Sequence, residues 1–131
     1  GDIDKINNKA TYIDKKLDAV ILLAEHAIFV CNNEGLCILV NQPACELFGA
    51  SENQLKGYGW MNYLHPDDRR KAEIVWEQFI NSGGNDIKTS YRIVHGKTTD
   101  LIFANYHAVL LRDELGDVIV SVSRISRNHK P

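Results

Sequence analysis

The chain has 131 residues, 44% of them hydrophobic, and a formal net charge of −2, which fits one domain with enough apolar material for a core. No basic stretch resembles a nucleic-acid footprint, and no run of about 18 apolar residues crosses a membrane in this segment. Three cysteines, an odd count without framework spacing, point to a reducing compartment, the cytoplasm.

The first 25 residues read as a helix. Ile3, Ile6, Ala10, Ile13, Leu17, Val20 and Ala24 step alternately by three and four, an a/d seam that suits pairing with a second copy of the chain. The simpler reading is a helix that caps its own domain. Residues 19–24 are apolar, but Glu25 and His26 interrupt them and no basic region precedes them, so they are not a signal peptide.

Ala27–Cys31 and Leu36–Val40 are β-rich and flank Asn32-Asn33-Glu34-Gly35, which predicts a hairpin. With Asn33-Glu34 as a two-residue tip, Cys31 would face Leu36 and Cys37 would face Val30, placing the two thiols on opposite faces. Asn41 offers an N-cap, Pro43 a first turn and Gly49 a stop for a short helix. Ser51-Glu52-Asn53-Gln54 is a capping-box pattern. A third short turn holds Trp60–Leu64. Pro66 then opens a longer helix with Asp67 and Asp68 at its positive end. Arg69, Arg70 and Lys71 read as a solvated face, and Ala72, Val75, Trp76, Phe79 and Ile80 as the buried one. After Gly83-Gly84 come three strand patterns, Ile87–Val94, Leu101–Leu111 and Val118–Ile125, before a polar tail at 128–131.

This order predicts an α+β domain over residues 26–127. A hairpin and three consecutive antiparallel strands form a five-stranded sheet, with short helices on one face and the N-terminal helix flanking the other.

Several of these segments, in this order and spacing, resemble the PAS sensor-domain family. They are the hairpin Ile28–Asn41, Cys45-Glu46-Leu47-Phe48-Gly49, Trp60–Leu64 with His65-Pro66-Asp67-Asp68, Tyr91-Arg92-Ile93 and Leu111–Gly116. The resemblance implies a sensory or interaction module of a larger signalling protein, such as a bacterial sensor histidine kinase or a cyclic-dinucleotide enzyme. It also implies a homodimer, an output domain on the same chain and a small-molecule ligand. Arg124-Ile125-Ser126 stands where many members end on an Asp-Ile-Thr-like triad, so their acidic relay residue is missing. Covalent flavin chemistry needs a cysteine where Trp60 stands. Haem-binding relatives place an axial ligand on the long helix, which has no His, Cys or Met. Haem and a covalent flavin are not expected, and non-covalent flavin binding is left open.

No metal-ligand spacing occurs among the five histidines and three cysteines. Cys45 sits in an ordinary apolar pattern, and dipole compensation accounts for Asp67 and Asp68, so an enzyme is not expected. The ligand-pocket candidates are Phe48, Trp60, Leu64, Trp76, Phe79, Ala104, Tyr106 and Ala108. By period two, Ile102, Ala104, Tyr106, Ala108 and Leu110 share one face. The two alanines leave room there, which the tryptophans are expected to fill; a ligand-free scaffold is the corresponding alternative. The opposite face carries Phe103, Val109 and Leu111; Phe103 and Val109, with Ile3, Ile6, Ala10, Ile13, Leu17 and Val20, are the dimer-interface candidates.

Overall fold

The first hairpin is governed by Asn32. In the computed structural model, which describes residues 15–16 and 18–128 of the chain, strand β1 (Ala27–Asn32) meets β2 (Cys37–Val40) across a tip built on this side chain. Its Oδ1 accepts from Glu34 N at 2.9 Å and Leu36 N at 3.1 Å. Asn32 N donates to Leu36 O, while Gly35 takes the left-handed region at φ 82°. Asn32 and Leu36 therefore close a three-residue loop, not a two-residue one. The register moves by one, and Cys31 pairs directly with Cys37 across an irregularity after Val30. The expected opposite facing is thus wrong: both thiols lie in the buried core. Burial pushes both up, Cys37 to about 11, so they stay protonated at neutral pH.

The sheet order is β2-β1-β5-β4-β3, antiparallel throughout. β3 is Asp86–Val94, β4 is Leu101–Arg112 and β5 is Val118–Arg127. β5 runs beside β1 and closes the N-terminal hairpin onto the C-terminal meander. Along β4, Ile102, Ala104, Tyr106 and Leu110 are buried and Ala108 is half-buried, as the alternation predicts.

One face carries α1 (Gln42–Phe48), α2 (Glu52–Leu55), a 3₁₀ turn (Gly59–Tyr63) and α3 (Pro66–Asn81). The three α-helices start or stop on local signals. Asn41 caps α1, and Gly49 ends it at φ 67°. Ser51 and Gln54 form a reciprocal capping box. His65 caps α3 by accepting from Asp67 N. Phe48, Leu55, Leu64, Ile93 and Val40 are the innermost apolar side chains.

α3 is clamped to β3 by a group the sequence assigned to dipole compensation alone. Asp68 is buried, and its carboxylate accepts from Arg92 N at 2.7 Å, Nε at 3.1 Å and Nη2 at 2.7 Å. These hydrogen bonds hold the Asp68 pKa below the usual carboxylate range. A carboxylate with a depressed folded pKa contributes stability above its unfolded value, about pH 3.9, and that contribution disappears as pH falls through the folded value. Asp68→Asn is therefore expected to flatten the acid limb: urea midpoints of the wild type should fall more between neutral pH and pH about 3 than those of the variant. Equal slopes would contradict the clamp. Lys71 also departs from the solvated face, since its Nζ donates to Ser90 O at 2.7 Å and sits 5.3 Å from the Tyr91 ring centroid.

The other face of the sheet is apolar at Leu101, Phe103, Val109 and Leu111, all exposed. Residues 18–23 are helical, and Val20 and Leu23 are exposed. These helical residues do not cover Phe103 and Val109, and the rest of the expected flanking helix lies outside the described residues. The helix end is tied near β1 through Asn41, which accepts from Ile28 N and donates to Ile21 O. β4 lies two strands away, about 9.6 Å. Ile3, Ile6, Ala10, Ile13 and Leu17 lie outside the described residues.

Candidate functional site: a cavity between the sheet and α3

The inner face of the sheet does not meet α3 everywhere. Between them lies a cavity of about 640 Å³, within the size range of small-ligand sites. The sequence expectation that the tryptophans fill this room fails. Trp60 is drawn to the hairpin: its Nε1 donates to Gly35 O at 3.4 Å, and its ring meets Phe29 edge-on at 5.5 Å. Trp76 packs against the same tip, where a Cβ on Gly35 would lie 3.3 Å from its Nε1. Both rings thus become walls.

Of the eight pocket candidates, Trp60, Trp76, Phe79, Tyr106 and Ala108 line the cavity. Phe48, Leu64 and Ala104 do not; each is fully enclosed in the packed core at 0% exposure. Those three are corrected to core residues, because α1 and the 3₁₀ turn pack tightly on that end of the sheet. Phe48 stacks near Phe29 at 6.2 Å and meets Tyr63 edge-on at 6.5 Å.

The floor comes from four of the five strands: Phe29 and Cys31 of β1, Thr89 and Tyr91 of β3, Tyr106 and Ala108 of β4, and Ser121 and Ser123 of β5. Sequence reasoning missed the β5 serines. Their signal was the alternation Ser121, Ser123, Ile125 along a strand whose inner face must pack, where small polar residues leave space and hydroxyls. Tyr91 and Tyr106 meet edge-on at 4.9 Å. The Tyr106 hydroxyl is buried with no hydrogen-bond partner among the described residues, and burial raises its pKa.

Charge is confined to the mouth. Glu34, Glu73 and Glu77 are exposed there. Glu73 pairs with Arg70 at 2.9 Å. Arg69 is half-buried and donates from Nη2 to Asn62 O at 3.3 Å. Sulfur reaches the wall through Cys31 and Met61, but no histidine lines it, so the lining does not fit a histidine-ligated haem. Among the described residues no three His, Cys, Asp or Glu side chains converge as for a metal ion.

A model of the PAS fold matches residues 38–123, which take in most of β2, every helix after it, β3, β4 and the first part of β5. The chain belongs to the PAS fold family. This PAS domain has no match among curated proteins. Among solved structures it is similar to the PAS domain of an HTR-like protein from Haloarcula marismortui, with 15% identity, TM-score 0.70, and 95% and 99% of the two chains covered. It is also similar to the N-terminal domain of a diguanylate cyclase with PAS/PAC sensor from Marinobacter aquaeolei, with 16% identity, TM-score 0.68, and 79% and 94% covered. A LOV protein from Rhodobacter sphaeroides aligns with 13% identity and TM-score 0.76 over 88% of this chain and 66% of that one. At these identities the likeness concerns the fold.

Proposed function

We propose that this PAS domain is the sensory module of a larger signalling protein, a sensor histidine kinase or a cyclic-dinucleotide enzyme, and that a small molecule in its cavity changes how the domain packs in a homodimer. The observation that carries this reading is the cavity itself, walled by both tryptophans of the chain and floored by hydroxyls. The diguanylate cyclase neighbour supports the choice of parent. Catalysis is not supported, because burial keeps all three thiols protonated and unactivated. A ligand shifts such a domain only by interacting differently with its two states. The ligand here would touch β1 and α3 at once, so its entry alters their spacing.

Native mass spectrometry of protein purified from cells tests the reading. The wild type is expected to carry a small-molecule adduct, and Ala108→Trp, which fills the cavity, to lose it. Identical bare masses would leave the ligand-free scaffold as the better account.

Dimerisation is expected through the heptad seam and the apolar outer face, where Phe103 and Val109 are exposed. Ile13→Glu combined with Leu17→Glu should give monomers by light scattering. Dimers that persist at low concentration would refute the seam.

A further inference from the structure

We infer that the outer face of the sheet holds a phosphate-ester site, separate from the cavity, built on Lys88, His107 and Arg124 of three adjacent strands.

The three residues stand in one cross-strand row. Lys88 of β3 pairs with His107 of β4, and His107 pairs with Arg124 of β5. The neighbouring row on the same face is Ser90, Asn105 and Ser126, paired in the same order. All six residues line one open depression of about 430 Å³. Partners directly opposite have Cβ atoms about 5 Å apart. Lys88 and Arg124 therefore stand on either side of His107, each on a long flexible stem.

Basic side chains aligned across strands repel one another, and the fold does not relieve this. Lys88 and Arg124 have no ion-pair partner among the described residues, although the chain is net negative. The carboxylate of Asp86 accepts from His107 Nε2 at 3.3 Å and belongs to the next row, opposite Val109. Ser90, Asn105 and Ser126 make no side-chain hydrogen bond among the described residues. The depression thus offers two unpaired cations beside a strip of hydroxyl and amide donors. A carboxylate turns both oxygens to one side. A phosphoryl group carries three oxygens around its axis, which suits cations arriving from opposite sides. Along β4 the site lies between Phe103 and Val109, within the face on which two copies are expected to meet.

The test is an NMR titration of the ¹⁵N-labelled domain with methyl phosphate and with acetate, at constant ionic strength. Methyl phosphate should shift the amides of Lys88, His107 and Arg124 and bind about fivefold tighter than acetate. Lys88→Gln and Arg124→Gln, both at exposed positions, should each weaken it about fivefold. Lys97→Gln removes the same charge from the exposed β3–β4 turn and should leave the affinity unchanged. Vesicles of phosphatidylcholine with phosphatidic acid distinguish the source. Cosedimentation that Arg124→Gln abolishes points to a lipid headgroup, and methyl phosphate binding without cosedimentation points to a soluble ester. Either result supports the site. Absence of saturable shifts at these three residues, equal affinity for acetate, or equal weakening by Lys97→Gln would overturn it.

Discussion

Asn41→Ala is expected to destabilise the domain by about 3 kcal/mol or more in urea unfolding. Asn41 is buried at 1% exposure, and its amide is fully used. Oδ1 accepts from Ile28 N at 2.9 Å and Ala44 N at 3.1 Å. Nδ2 donates to His26 O at 2.7 Å and Ile21 O at 3.2 Å. One side chain therefore caps α1, pins the first residues of β1 and holds the end of the leading helix. Alanine strands four main-chain groups, and an unpaired buried polar group costs more than a hydrogen bond contributes. Asn41→Asp keeps the acceptor and loses the two donors, so it should fall between the two. A loss under about 1 kcal/mol for alanine would show that the four bonds are replaced by water.

Gly49→Ala is expected to cost about 2–4 kcal/mol, from two separable causes. Gly49 sits at φ 67°, where a side chain is strained. A Cβ there would also lie 2.2 Å from His95 Cε1. His95 cannot simply retreat. Its Nδ1 accepts from Lys97 N and Thr98 N, both at 3.2 Å, which leaves the proton on Nε2 to donate to Glu46 O at 3.1 Å. This imidazole holds the β3–β4 turn against the end of α1. In a His95→Ala background, Gly49→Ala should cost only the backbone strain, about 1 kcal/mol. Equal costs in both backgrounds would refute the steric contribution.

The sequence showed most of the frame because its signals are local. Caps at Asn41 and Ser51, the Pro66 start of α3, the stop at Gly49 and the alternation along β4 each involve residues a few positions apart, and the structure has all of them. The losses came where one atom or one partner decided. The hairpin tip turned on Asn32 Oδ1 reaching Leu36, which moved Cys37 opposite Cys31. Asp68 looked like a helix-start acid until β3 brought Arg92 to it from 24 residues away. Arg69 and Lys71 looked solvated and instead reach the cavity wall and β3.

The site was half legible for the same reason. Period two identified the inward face of β4, and hence Tyr106 and Ala108. Helical spacing identified Trp76 and Phe79. Whether aromatic side chains fill a space or wall it depends on rotamers and on distant contacts, here Gly35 beneath Trp76 and its carbonyl beside Trp60. No periodicity encodes that. The seam at Ile3–Leu17 lies outside the described residues, so its role is a matter for solution experiments.

Diffraction from crystals of the domain pressurised with xenon tests the open cavity most directly, because xenon enters apolar cavities without needing the natural ligand. Xenon density bounded by Ala108, Trp76 and Trp60 is the expected result. Absence of density there, with the Trp76 ring turned in against Ala108, would contradict the account.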